Sequence, residues 1–249
     1  MVKTGTLILP WMQSDLHPEA LRLADPPVTE AFARDLKADL ALLDPPEVVR
    51  RYVVVLREGV ATGTMTGLGF RPVSLTRFTT LSCQLVDHPV LSARPPDAVA
   101  AHWFQPGERA PWEQWIAAHW QAYRQFHRHN PPTDLGPEGL REVFVGDDLD
   151  EGLAFREGPQ GRILGFSSLR EESQLGWIAT VPGQTHLLPA LMGASLRRAM
   201  ALGWSSAEIE VDDEDRALWS LIERLPEGEN QSRWVTWHLE RFAEGPTRN

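Results

Sequence analysis

The chain has 249 residues and a formal net charge of -10, with 24 Lys and Arg against 34 Asp and Glu. That is enough for one large domain or two small ones, and the acidic balance argues against a nonspecific nucleic-acid binder, which needs basic side chains to neutralise phosphates. No apolar run reaches membrane-spanning length, residues 6–12 are too short and too weakly flanked for a signal peptide, and the single Cys83 allows no intramolecular disulfide, so a reducing cytoplasm fits.

From the N-terminus, residues 6–9 read as a short strand. Over residues 17–49 the apolar positions Leu21, Ala31, Phe32, Leu36, Leu40 and Leu43 suit helices, interrupted by Pro26, Pro27, Pro45 and Pro46. Next, RRYVVVLREGVATGTMTGLGF reads as a hairpin. Its first strand holds Val53, Val54 and Val55, its turn is at Glu58 and Gly59, and its second strand is rich in threonine and glycine. Alternation over residues 77–86 supplies a third strand. The RPPD sequence within residues 93–98 disfavours continuing structure, so a boundary is expected there, giving domains at 1–95 and 99–245.

Beyond the link, residues 102–105 suit a strand and residues 112–129 a helix carrying Trp112, Trp115 and Trp120. His119, Tyr123 and His127 recur at four-residue steps on one face of it; two such histidines can hold a metal, but no third ligand follows at a recognisable interval, so no metal is expected. GLAFREGPQGRILGFSSLR, residues 152–170, reads as a second hairpin. An apolar strand at 175–181, a tight loop at 182–186 and an amphipathic helix ending at Gly203 follow, with Leu188, Leu191, Met192, Ala199 and Leu202 at helical steps. Pro189 places the helix start near residues 186–188, because proline is tolerated only in a first turn. A strand at 207–211, a helix at 215–225 and the run RWVTWHLERF complete the pattern.

Strand, loop, helix, strand, helix, with the first helix ending in Ala-Leu-Gly, resembles the coenzyme A core of the GCN5-related N-acetyltransferases. The hairpin at 152–170, the helix PWEQWIAAHWQAYRQFHRHNPP and the closing RWVTWHLERF resemble that family's other elements in the same order. The resemblance spans roughly residues 100–242. It implies an α/β fold with a mixed sheet, complete in the C-terminal copy. The strand, helices, hairpin and strand of the first ninety-odd residues match the front half of the same fold, so the whole is similar to the tandem acetyltransferases, the group that includes mycothiol synthase, with a truncated N-terminal half-copy.

The resemblance also implies a coenzyme site. Amides at a helix start favour a diphosphate, and the family's loop has the form Arg/Gln-x-x-Gly-x-Gly/Ala. Anchored on Gly203, that loop falls on Gly183, Gln184, Thr185, His186, Leu187 and Leu188, without the two loop glycines; with Gln184 as its first residue, Leu187 and Pro189 take the glycine positions. Ala179, Val181, Gln184, Thr185, His186, Leu187, Leu188 and Asp215 are therefore the expected coenzyme contacts. Asp215 aligns with the family's asparagine, and Ile222 stands where many members carry an acid tyrosine. For a base, Glu171 and Glu172 end one strand, and Glu208 and Glu210 lie on one face of another, a face that is either functional or wet. The implied activity is transfer of an acyl group from acetyl-CoA to a small-molecule amine by a monomer or homodimer in the cytoplasm, without nucleic acid, membrane or metal. The competing reading is an inactive relative that uses the cleft for another ligand or a protein partner.

Overall fold

The computed structural model describes residues 9–241 except 25, 27, 30, 44, 93, 98, 105–108, 146–148, 158–160 and 171–172. Glu171 and Glu172, and the strand expected at 6–9 apart from Leu9, lie outside the described residues. The chain divides into two compact units, one of Met1–Thr76, His129–Thr133 and Arg233–Asn249, the other of Arg77–Arg128 and Asp134–Ser232.

The first unit contains β1 (Met12–Ser14), β2 (His17–Ala24), α1 (Phe32–Leu42), β3 (Arg51–Arg57) and α2 (Thr62–Gly67). It also holds the beginning of β4 (Arg71–Ser82) and, from Arg233, the end of β11 (Glu229–Glu240). β2 and β3 run parallel from Ala20 beside Arg51 to Ala24 beside Val55. On its other edge β3 takes β11, antiparallel, from Arg57 beside Trp234 to Arg51 beside Glu240. Leu21, Leu23, Val54 and Leu56 meet Phe32 and Leu36 of α1 in one apolar cluster. The buried Asp39 carboxylate accepts from Leu9 N at 2.9 Å and from Trp11 Nε1 at 3.2 Å, which ties the chain's beginning to α1.

Two expectations fail in this unit. HPEALRLA is strand β2, not helix: its helix-forming residues are overruled by parallel pairing with the β-branched run of β3. TGTMTG is the short helix α2, not the second arm of a hairpin. Both edges of β3 are taken by β2 and β11, so no edge remains for a hairpin partner, and the chain instead drops Met65, 0% exposed, into the core.

The second unit begins in β4 and a 3-10 turn (Cys83–Asp87) and contains β5 (Val99–Phe104), α3 (Arg109–Phe126), α4 (Gly136–Val145), β6 (Leu149–Glu157) and β7 (Ile163–Arg170). There follow β8 (Gln174–Leu175), β9 (Ala179–Thr180), α5 (Leu188–Ala201), β10 (Ser206–Asp212) and α6 (Arg216–Glu223). The strand order is β10-β8-β7-β6-β5, with β9 beside β7. The hairpin of β6 and β7, the helix that ends before Gly203 (φ +91) and the strand at 206–212 lie where periodicity and alternation put them. The strand expected at 175–181 is the two short pieces β8 and β9, and α4 was not anticipated.

Each face of this sheet has its own core. Leu153, Leu169, Leu175, Ile209 and Val211 pack with α5 and α6 residues such as Leu191 and Leu221. Phe104, Ala154, Phe166 and Ala179 pack with Trp112 and Trp115 of α3. A strand, a crossover helix and a second, parallel strand occur in each unit, as β2-α1-β3 and as β8-α5-β10.

Candidate functional site

The turn into α5 is built from the end of a strand. Val181 N donates to Leu164 O at 3.0 Å, keeping the chain on β7 until the turn begins. Gly183 takes φ +84, a conformation open to glycine, and Gln184 N then donates to Val181 O at 3.1 Å. The 3-10 turn Thr185–Leu187 follows, and its first internal donor is Leu187 N, to Gln184 O at 2.9 Å. The amides of Thr185 and His186 thus precede the helical ladder, on exposed residues, where the helix dipole favours an anion. Leu187 and Leu188, 1% and 3% exposed, turn their side chains into the α5 core and leave the outer side of the turn bare. Pro189 sits in the first turn of α5, where no ladder amide is needed.

Beside this turn a parallel pair comes apart. β8 and β10 are joined at Gln174 with Glu208 and at Leu175 with Ile209. Residues 176–178 then leave the strand, and when pairing resumes in β9 it is with β7, Thr180 beside Gly165 and Ala179 beside Phe166. The break has a local cause. A Cβ on Gly176 would stand 2.1 Å from Ser168 Oγ, on the face where Trp177 joins the α3 core. With Gly176 and Trp177 both toward that face, the alternation of a strand cannot continue through them, and pairing stops. The parallel pairing of β8 with β10 thus ends next to the open helix amides.

On the α3 face at the paired end lies a polar row. Leu169, Leu175 and Ile209 share the α5 core, so their neighbours Arg170, Gln174 and Glu208 share the opposite face. Gln174 Nε2 donates to Glu208 Oε1 at 3.5 Å. Arg170 Nε is buried and has no hydrogen-bond acceptor. Of the expected carboxylate pair, Glu208 is half-buried in this row, while Glu210, two residues on, is exposed. Sequence reasoning missed Arg170, because only strand register sets it beside Gln174.

Aromatic rings wall the same face. Trp177 has the rings of His119, Tyr123, Phe126 and His127, all on or just after α3, at centroid distances of 5.2, 5.3, 6.1 and 5.7 Å. The four-residue recurrence of His119, Tyr123 and His127 is thus a packing device. His119 is fully buried, and that burial, assisted by the charge of Arg170, lowers its pKa to about 3, so the ring is neutral. No group of three or more His, Cys, Asp or Glu among the described residues is arranged to hold a metal ion.

Asp215 caps α6, its carboxylate accepting from Leu218 N at 3.0 Å; burial raises its pKa although that hydrogen bond opposes the shift. Ile222 is 3% exposed and belongs to the α5 core. The site's rigidity comes from the sealed side, where Arg198 of α5 makes two hydrogen bonds to Glu151 of β6 and Ser195 meets Ser167 at 2.7 Å.

No protein-family model matches the chain, and no curated protein matches it in sequence. Its fold does have solved counterparts. A GCN5-related N-acetyltransferase from Sphaerobacter thermophilus superposes with a TM-score of 0.61 at 17% identity, covering 92% of this chain and 75% of that one. A functionally unknown conserved protein from Staphylococcus epidermidis gives 0.56 at 10% identity, over 89% of this chain and 84% of that one. A tandem GNAT protein from the clavulanic acid biosynthesis pathway gives 0.54 at 12% identity, over 89% and 75%.

Proposed function

We propose, from the premise that this chain has the fold of the GCN5-related N-acetyltransferases, that it transfers an acyl group from acetyl-CoA to a small-molecule amine. The observation that carries the reading is the parting of β8 from β10 next to a turn whose first amides are exposed. The residues at the turn fit a coenzyme: a diphosphate suits the Thr185 and His186 amides with Gln184 beside them, and the half-buried Val181 borders the same turn, whereas Ala179, 1% exposed, belongs to the α3 core. Leu187 and Leu188 serve this site through their backbone, with their side chains as anchors, and Asp215 through the cap that fixes α6.

The thioester supplies an electrophilic acyl carbon and a thiolate leaving group. The protein's own part is mainly positioning. The backbone amide of the half-buried Trp177, off the strand ladder, polarises the acyl carbonyl. Glu208 accepts the proton that the amine sheds as its nitrogen bonds to the acyl carbon, with Glu210 as the outer alternative. The carbon–sulfur bond breaks, and the thiolate takes its proton from solvent, since Ile222 offers none.

That last point favours a second reading, an inactive relative whose cleft holds another ligand or a protein partner. Calorimetry and thermal shift with acetyl-CoA and desulfo-CoA separate the two. Saturable micromolar binding supports the transferase, and no binding at millimolar ligand supports the inactive protein. No helix among the described residues is long and apolar enough to cross a membrane; a cytoplasmic monomer or homodimer belongs to the same proposal.

A further inference from the structure

The polar row on the α3 face is lopsided. Glu208 has a hydrogen bond from Gln174, and Gln174 has Glu208, but the third member, Arg170, keeps a buried Nε without an acceptor. A guanidinium nitrogen withdrawn from water and left unmatched is costly, and it marks a place where an anionic oxygen would be welcome. The nitrogen packs against the bare backbone of Gly176 beside Ser168, since a Cβ on Gly176 would stand 3.3 Å from Arg170 Nε and 2.1 Å from Ser168 Oγ. His119, the buried base whose protonation the charge of Arg170 disfavours, is neutral and adds no competing cation.

We infer that the acceptor is an amino acid, and that Arg170 holds its carboxylate while Glu208 holds its amine. This deepens the transferase reading and rests on it. Arg170, Gln174 and Glu208 are neighbours across three adjacent strands, so their backbones span about 10 Å. A guanidinium and a carboxylate on either side of Gln174, on one face of the sheet, set a cation site and an anion site about the length of one zwitterion apart. The carboxylate is the discriminating group, because a fork of guanidinium donors rejects a ligand that leaves it unmatched. The half-buried rings of Trp177 and Tyr123, tilted by 38° with centroids 5.3 Å apart, offer aromatic surface to the amino acid's side chain.

The test compares tryptophan with tryptamine, and tyrosine with tyramine, as acceptors for acetyl-CoA in a thiol-release assay on the full chain. Calorimetric titration with the same compounds, and with desulfo-CoA, runs alongside. The amino acids are expected to exceed the decarboxylated amines at least about tenfold in kcat/KM. Arg170→Gln is expected to raise KM for the amino acids about tenfold, to leave KM for the amines no higher than before, and to leave the desulfo-CoA Kd unchanged; Arg170→Lys recovers part of the loss. Circular dichroism and the Tm of each variant report folding. Equal use of both acceptor classes, or an unchanged amino-acid KM in a folded Arg170→Gln protein, overturns the inference and leaves the transferase reading standing. If desulfo-CoA fails to bind, the transferase reading falls; amino-acid binding that Arg170→Gln abolishes then still supports the zwitterion site, and its absence removes both.

Discussion

Both units contain a strand, a crossover helix and a second strand parallel to the first, and the two pairs end differently. In the first unit β2 stays joined to β3 from Ala20 beside Arg51 to Ala24 beside Val55. In the second, β8 stays joined to β10 only at Gln174 and Leu175. The helices do not explain the contrast, since α1 buries Phe32 and Leu36 much as α5 buries Leu188 and Leu191. What differs is the first strand: His17–Ala24 is uninterrupted, whereas the corresponding run in the second unit is broken at residues 176–178. An irregularity in one strand, beneath an ordinary crossover, turns a closed sheet into one with a cleft.

The largest effects should fall on what the two crossovers share. Leu36→Ala and Leu191→Ala, each at a site 0% exposed, are expected to cost about 2–5 kcal/mol apiece in urea unfolding. A cost below 1 kcal/mol at either would break the equivalence of the two helices. Next comes acid sensitivity, since each unit holds a neutral buried histidine. Desolvation lowers His119 to about 3 in one unit, and desolvation with the charge of Arg51 lowers His238 to about 4 in the other. Both folded values lie under the unfolded value of about 6.5, so the unfolded chain takes up more protons below that pH. Stability is full above about pH 6.5 and is lost as pH falls toward 4, by on the order of 3 kcal/mol for each histidine. His238→Phe should flatten that acid limb in pH-dependent unfolding; an unchanged limb refutes the assignment.

A ligand should tell the units apart. Acetyl-CoA at a hundred times its Kd is expected to stabilise the protein by about 2.7 kcal/mol, and Thr185→Pro, which removes one open amide of the α5 turn, is expected to weaken binding about tenfold in calorimetry. Full affinity in that variant would place the coenzyme away from the cleft. The smallest effect concerns the α6 cap. Asp215→Ala should cost about 1 kcal/mol. Because burial raises the Asp215 pKa in the folded state, its protonated form is favoured there, and its contribution declines as pH rises through the window between the unfolded and folded values. Asp215→Asn should keep most of the cap and remove that decline.

The α5 segment was legible because several independent signals coincide: Leu188, Leu191 and Met192 at helical steps, Pro189 in the first turn and Gly203 after the last. β10 was legible because Ala207, Ile209 and Val211 alternate with polar residues. β2 was not, since HPEALRLA has the local preference of a helix and becomes a strand only through a partner some thirty residues away. Thr62–Gly67 misled in the opposite direction, its threonines suggesting a strand that found no free edge. Within the site, Glu208 and Glu210 stood out as a charged pair on an apolar strand, but their unlike exposure depends on what covers each end of that face. Arg170 gave no signal, because its meaning lies in register with Gln174 and in the missing side chain of Gly176.

The late arrival of β11 has a consequence for how the protein is made. The edge of β3, Arg51–Arg57, is covered by residues beyond 233, so during synthesis that edge stays bare until nearly all of the described chain has left the ribosome. An uncovered row of backbone donors and acceptors in a valine-rich strand invites another strand to dock. Crowded polysomes are therefore the setting in which two nascent copies would stick together, and sparser ribosome loading or a chaperone that shields this edge should raise the yield of native protein.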